Sequence, residues 1–372
     1  MTAEKPENTE EQRLLAELRE QIDSLDDQIG KLISQRATCA LQVAAVKQQF
    51  SSGEPPVFYR PEREAQVIRK AMARNEGPLK DEEFARLFRE IMSACLALEQ
   101  PLRVAYLGPE GTYTHQAAIK HFGHSVNAVS MGAIDEVFRE VASGAAAYGV
   151  VPVENSTEGV VTHTLDNFME SDVHICGEVV LRIHHHLLVS DITRTDNISR
   201  IYSHSQSFAQ TRKWIDAHFP KAERVTLNSN SEAAKRIKGE WNSAAIAGEL
   251  AGELYELTSY AKNIEDQPDN STRFLIIGSE EVGRSGDDKT AILVSTKNEP
   301  GALHHLLEPF RRFGVDLTRI ETRPSISGTW NYVFFIDLSG HISDEPVKRA
   351  MDEIATFVAD LKVLGCFPKG VL

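Results

Sequence analysis

This sequence predicts three domains of three classes: all-α, then α/β, then a small α+β domain of ferredoxin-like order. Three observations predict them. Residues 11–100 are almost free of Gly and of strand-like runs, apart from the loop SSGEPPVFYRP. Residues 101–285 alternate short apolar runs with helical stretches, the pattern of an α/β domain with a largely parallel sheet. Residues 287–372 repeat the alternation on a smaller scale in the order βαββαβ. The boundaries fall at Gln100-Pro101 and within GRSGDD, Gly283 to Asp288, and divide the chain into 1–100, 101–285 and 286–372. Both carry the Pro, Gly or charge that linkers favour.

Composition narrows the function. The chain has 372 residues, 41% hydrophobic and 25% charged, as soluble globular proteins do. A net charge of −14 argues against nucleic acid as a partner, so an anionic ligand needs a local cluster of Arg and Lys. No apolar run is long enough to span a bilayer, so no membrane partner is expected. The polar, acidic start MTAEKPENTEEQ is neither a secretory signal nor a basic transit peptide. Cys39, Cys95, Cys176 and Cys366 form no CxxC pair, which fits reduced thiols and a cytoplasmic location.

In the first zone Leu15, Leu18, Ile22, Leu25, Ile29 and Leu32 follow the 3-4 spacing of an a/d seam on a long helix. Continued, the seam reaches Arg36, Cys39, Val43 and Val46, and Lys47 projects from nearly the same face. Two cations facing a helical core need anions, from the protein or from a ligand. Further helices are expected over 62–75 and 81–99. The seam alone also fits a dimerisation hairpin with snorkelling basic side chains.

Beyond the seam, Leu18-Arg19-Glu20, Arg36, Lys47 and Tyr59-Arg60-Pro61-Glu62-Arg63-Glu64 resemble the all-helical class of chorismate mutase. The resemblance implies a dimer of interlocked helices in which Arg19 reaches the partner's site. It also implies that Arg36, Lys47 and Arg63 hold the substrate's carboxylates and ether oxygen, and that Glu64 binds a hydroxyl. A Claisen rearrangement needs no nucleophile, only a compact conformer and positive density at the breaking C–O bond. Three residues depart from the family's common pattern: Arg60 for Asp, Cys95 for Ser and Glu99 for Gln. A glutamate donates to the ether oxygen only when protonated, so mutase activity is expected to fall as pH rises through the pKa of Glu99.

In the middle zone, strands at Val104–Leu107, Tyr148–Val153, Arg200–Tyr202 and Ala244–Ala247 each run into a polar or Gly-bearing loop. Ligands in such sheets gather at the carboxyl ends of strands, over helix N-termini. The stretch QPDNSTRFLIIG, Gln267 to Gly278, instead puts its polar groups ahead of the strand Phe274–Ile277. Turn chemistry accounts for that cluster by itself. However, GPEGTYTHQAA, VPVENSTEG, the SHSQ of Ser203 to Gln206 and NSTRF resemble prephenate dehydratase. The resemblance implies two α/β lobes, like a periplasmic binding protein, with the active site in the cleft between them. It implies Thr272 as the catalytic hydroxyl, with Arg273 as a carboxylate anchor and Thr112, Asn155, Ser156 and Gln206 as binding groups. For Thr112 and Gln206 a loop-capping role stands equally open. His184-His185-His186 follow an apolar run read as a strand, alternate faces and so cannot converge on one metal ion. Neither a metal nor an organic cofactor is expected.

In the last zone, strands are expected over 289–296, 317–322, 330–338 and 363–366, with helices opening at Pro300-Gly301 and near Glu345. Gly301-Ala302-Leu303 and Glu321-Thr322-Arg323-Pro324 resemble the effector motifs of the ACT domain in prephenate dehydratases, with Thr322 where Ser is usual. The resemblance implies a paired domain that binds L-phenylalanine. Together the three resemblances imply a homo-oligomeric enzyme, dimer or tetramer, that takes chorismate through prephenate to phenylpyruvate under phenylalanine feedback. The alternatives are a non-catalytic amino-acid sensor and a dehydratase with an inactive mutase domain.

Overall fold

The computed structural model describes residues 9–51, 57–296, 299–324 and 332–371. The 41-residue helix α1 (Thr9–Gln49) is about 60 Å long at 1.5 Å per residue. Helix α2 (Pro61–Ala73) starts on Pro61, where a missing N–H costs nothing, and carries Glu62 and Glu64 in its first turn. Helix α3 (Asp81–Glu99) opens on three acids, Asp81, Glu82 and Glu83. Both α1 and α2 pack on α3. The α1 seam stays in solvent: Leu18, Ile22, Leu25, Ile29 and Leu32 are 53–63% exposed.

The middle region folds as two lobes. The first holds β1 (Arg103–Leu107), α4 (Tyr113–Phe122), β2 (Asn127–Met131), α5 (Ile134–Ala142), β3 (Tyr148–Asn155), the short β4 (Gly159–Val160), α6 (Thr162–Glu170) and β5 (His174–Arg182). The chain then crosses to the second lobe. That lobe holds β6 (His186–Val189), β7 (Arg200–Ser203), α7 (Ser205–Gln210), α8 (Arg212–His218), β8 (Glu223–Thr226), α9 (Asn230–Arg236), β9 (Ser243–Ala247), α10 (Glu249–Leu254) and β10 (Thr258–Ala261). It returns as β11 (Ser271–Gly278) into the middle of the first sheet, whose order is β2-β1-β3-β11-β5.

The sheets are mixed, not largely parallel, because of these crossings. A strand that comes back from the other lobe enters from the opposite end, so β11 is antiparallel to both β3 and β5. Likewise β6 is antiparallel to β9 in the second sheet, ordered β10-β6-β9-β7-β8. The carboxyl ends of β1 and β3 therefore share an edge with the start of β11. That direction explains why the polar half of QPDNSTRFLIIG precedes its strand. Successive residues of the second sheet, such as Leu187 and Leu188, feed apolar clusters on opposite faces.

The C-terminal domain runs β12 (Asp288–Thr296), α11 (Ala302–Phe313), β13 (Leu317–Pro324), β14 (Tyr332–Ser339), α12 (Glu345–Ile354) and β15 (Asp360–Pro368). Its sheet order is β13-β14-β12-β15. Trp330, expected to start the third strand, lies outside the described residues. One sheet face carries α11 and α12 over Leu306, Phe310, Val347 and Ile354. The other face joins the first lobe: Leu293, Phe335 and Phe367 share a core with Phe168, Ile175 and Leu275. At Gly365 the backbones of β15 and β5 approach so closely that a Cβ would collide with the Ile175 carbonyl. Among the described residues no helix is long and apolar enough to cross a membrane.

Candidate active sites

Thr272 and Asn155 face each other across the β11–β3 ladder, at the edge that looks toward the second lobe. Asn155 Nδ2 donates to Thr272 Oγ1 at 2.8 Å and to Asn270 Oδ1 at 2.9 Å. Its Oδ1 accepts the N–H groups of Thr157 and Glu158 at 2.9 and 3.0 Å. The Thr272 oxygen is thus an acceptor within the protein, and its own proton is left to point elsewhere. A cavity of about 450 Å³ between the lobes is lined by Asn155, His185, Gln206, Gln210, Asn270 and Thr272. A recess of about 240 Å³ continues it past Thr272 and Phe274 to Thr112, at the start of α4. Thr112 caps that helix: its Oγ1 donates to the Leu107 carbonyl at 3.2 Å and accepts from the His115 N–H at 3.4 Å. Gln206 is exposed in the first turn of α7. Ser156 lines neither space; its Oγ accepts the Ser271 N–H at 2.9 Å and braces the strand entry.

Arg273 departs from the sequence expectation. Strand alternation turns it to the opposite face from Thr272, away from both cavities. There its Nε donates to Glu178 at 2.9 Å and its Nη1 to Asp337 of β14 at 2.5 Å, while Lys289 also holds Glu178 at 2.7 Å. Burial works against the charge of Arg273, but Asp337 and Glu178 outweigh it and raise its pKa. The residues lining the two cavities include no Arg or Lys. His163 and His204 also line the larger cavity, Arg212 and Lys213 line an adjoining space that shares Glu158, Gln210 and Asn270 with it, and the first turn of α4 borders the recess.

The three histidines do not continue β5, which ends at Arg182. His184 and His185 lie in the outgoing connection between lobes and His186 opens β6. His184 Nδ1 meets Glu265 at 2.7 Å, and His186 Nδ1 accepts the Asn263 N–H at 3.1 Å. His185 faces the cleft, with Nε2 2.8 Å from Gln210 Oε1 and Nδ1 3.0 Å from the Tyr113 hydroxyl. Burial holds its pKa below the ordinary imidazole value. Sequence reading missed His185, Gln210, Asn270 and Tyr113 as cleft groups. The signal for His185 was present, but the run was read as strand. Among the described residues no cluster of three or more His, Cys, Asp or Glu could hold a metal ion.

In the helical domain Arg36, Lys47 and Glu99 form one electrostatic cluster. Lys47 Nζ donates to the Val57 and Phe58 carbonyls at 2.9 and 3.4 Å and lies 5.3 Å from the Phe58 ring centre. Burial lowers the Lys47 pKa against the pull of Glu99. Burial raises the pKa of Glu99, against Lys47 and Arg36. Arg63 is exposed on α2. Glu64 does not join the cluster: it turns to Arg89 at 3.3 Å, in the seam with the middle domain, where burial raises its pKa. Tyr59 lies in the same seam, its hydroxyl 3.0 Å from His121 Nε2. Arg19 is exposed on α1, about 25 Å along the helix from Arg36 at 1.5 Å per residue. No single copy of α1 can bring both to one small molecule.

The effector motifs sit at an exposed edge. Gly301, at φ 85°, turns the chain into α11, and Ala302 and Leu303 form its first turn. Strand β13 is the sheet edge, with Thr322 and Pro324 exposed and Glu321 and Arg323 on the other face. Arg323 is committed there: its Nη2 forks Asp166 of α6 at 2.7 and 2.9 Å. An effector-binding role for that guanidinium conflicts with this pairing.

Fold and sites define a class: a multidomain enzyme whose regulatory domain is docked on its catalytic lobe. Family models match chorismate mutase type II at residues 18–100, prephenate dehydratase at 104–282 and the ACT domain at 290–356. The chain is 64% identical to the bifunctional chorismate mutase/prephenate dehydratase of Pseudomonas aeruginosa, over 97% of this chain and 100% of that protein. It is also 64% identical to that of Stutzerimonas stutzeri, over 96% and 98%. The crystal structure of prephenate dehydratase from Arthrobacter aurescens in complex with L-Phe matches 72% of this chain and 90% of its own, at TM-score 0.67 and 31% identity. The chain belongs to the bifunctional chorismate mutase/prephenate dehydratase family.

Proposed function

We propose that this chain rearranges chorismate to prephenate in its helical domain and converts prephenate to phenylpyruvate, water and CO2 in the cleft. L-Phenylalanine inhibits it through the ACT domain. The working division is 1–100, 101–285 and 286–372. The observation that carries the dehydratase site is the Asn155-to-Thr272 hydrogen bond at the cleft edge. Prephenate loses its ring hydroxyl and ring carboxylate together, driven by aromatisation. Thr272 is too weak an acid to protonate the leaving oxygen outright. With its oxygen occupied by Asn155, it donates a hydrogen bond as charge builds there. The first turn of α4 with Thr112, and Gln206 across the cleft, meet the substrate's carboxylates.

In the mutase site, Arg36 and Lys47 supply positive density for the breaking C–O bond, and protonated Glu99 donates to the ether oxygen. Arg63 and the partner chain's copy of Arg19 complete the carboxylate contacts. This reading makes the chain a homo-oligomer. The long exposed seam of α1 supports it, since contiguous apolar stripes of that length are rarely left in water. Feedback is supported by the seating of the ACT sheet. Three of its ion pairs reach residues beside or near the cleft edge: Asp337 to Arg273, Arg319 to Glu154 and Arg323 to Asp166.

The test is a time course of chorismate, prephenate and phenylpyruvate with the purified protein, with and without L-phenylalanine. Phenylpyruvate formed from chorismate and suppressed by phenylalanine is the expected result. Turnover of neither substrate, with phenylalanine still bound, would favour a sensor instead.

A further inference from the structure

A chain of hydrogen bonds ties Thr272 to both connections between the lobes. Its fixed point is Asn155, whose Oδ1 is taken by the Thr157 and Glu158 N–H groups. Its Nδ2 is therefore the group that faces Thr272 and Asn270. Asn270 Oδ1 also accepts from Thr157 Oγ1 at 3.3 Å, so Asn270 Nδ2 donates to Gln210 Oε1 at 3.1 Å. That oxygen, an acceptor, lies 2.8 Å from His185 Nε2, which must then carry the ring proton. The Tyr113 hydroxyl closes the far end, 3.0 Å from His185 Nδ1 and 2.7 Å from the His184 carbonyl. Each donor from Asn155 to His185 is assigned by the link before it, and the single Tyr113 proton is shared between two acceptors, His185 Nδ1 and the His184 carbonyl.

The route runs through both lobes and both connections between them. Tyr113 opens α4 in the first lobe, and His185 lies in the outgoing connection. Gln210 ends α7 in the second lobe, and Asn270 lies in the returning connection. His185 is 1% exposed and Asn270 3%, so water is poorly placed to replace a lost link. We infer that His185 is a positioning residue for the dehydratase reaction, its Nε2 proton fixing the rotamer of Thr272 through Gln210, Asn270 and Asn155. Lobe position and Thr272 orientation are set together. The inference rests on the reading of Thr272 as the hydroxyl donor.

The test uses full-length His185→Phe, His185→Gln, Thr272→Ala and the double variant His185→Phe/Thr272→Ala. Dehydratase kcat and KM are read on prephenate, with mutase rate on chorismate as the folding control. His185→Phe keeps the ring and loses the donor; kcat is expected to fall about 10- to 100-fold, with KM within about threefold. His185→Gln retains an amide donor and recovers most of kcat. In the Thr272→Ala background His185→Phe causes no further loss of the residual rate, because both act through one hydroxyl. Should His185→Phe lose mutase activity as well, His185→Asn, whose amide stops short of Gln210, takes its place with the same expectation. An unchanged kcat, an equal loss in the Thr272→Ala background, or no recovery with Gln overturns the inference. Full activity in Thr272→Ala alone overturns the reading of Thr272, whatever the histidine variants do.

Discussion

Arg273 of the catalytic lobe and Asp337 of the ACT sheet meet at 2.5 Å across the boundary between the two domains. Arg273 follows Thr272 directly, so this pair grips the back of the strand whose front carries the Thr272 hydroxyl at the cleft edge. Asp337→Ala leaves a mostly buried guanidinium with Glu178 alone. The expected cost is about 2 kcal/mol, below the ~3–5 of a fully stranded charge. Thermal unfolding reads the loss, and dehydratase assays should show weaker phenylalanine inhibition at unchanged mutase rate. A variant as stable and as inhibitable as the parent would detach this pair from both roles.

Acid should loosen the same contact. Burial works to raise the Glu178 pKa, but Arg273, Lys289 and the Gly370 N–H outweigh it and hold it below the usual carboxylate value. A depressed carboxylate contributes stability in full above its unfolded pKa, and that contribution is lost as pH falls through the folded one. Stability is therefore expected to drop on the acid side of the ordinary glutamate range. In Glu178→Gln that part of the slope disappears, and unfolding midpoints measured against pH check it.

The mutase should lose activity toward alkaline pH. Burial raises the Glu99 pKa, and only its protonated form donates to an ether oxygen. Activity is high below that pKa and falls as pH rises through it. Glu99→Gln, a permanent donor, should flatten the profile; an unchanged profile would remove Glu99 from the chemistry.

Arg19 and Arg36 should act in different copies. Arg19→Ala and Arg36→Ala proteins are each expected to lose mutase activity. Co-refolded, they should regain part of it, because a mixed dimer holds one site with both arginines. Ile29→Asp, on the exposed seam, should lower both the mass seen by light scattering and the mutase rate. Failure of the mixture to recover any activity argues for sites built within one chain.

Much of this was legible in the sequence. The a/d spacing from Leu15 to Leu32 gave α1, and the four strand-to-loop junctions gave the cleft edge. What escaped depended on long-range packing. Nothing local to Arg273 says that an ACT sheet lies behind its strand, and alternation alone cannot say which face is the cleft. Glu64 meets Arg89 because α2 packs on α3, and Arg89 in turn donates to the Lys120 carbonyl of the middle domain, contacts that no local pattern announces. The His184–His186 run looks like strand because Val179, Leu181 and Ile183 before it and Leu187–Val189 after it are buried and apolar. The lobe connection between them carries no Gly or Pro to mark it. The mixed sheet direction followed from the return crossing, which only the paired register reveals.

The central claim, two chemistries at two separate sites in one chain, is tested most directly by feeding chorismate to Thr272→Ala and following prephenate and phenylpyruvate. The account predicts prephenate accumulating at the parent mutase rate with phenylpyruvate formation nearly abolished. Phenylpyruvate appearing at the parent rate, or chorismate consumption falling with it, would contradict the account.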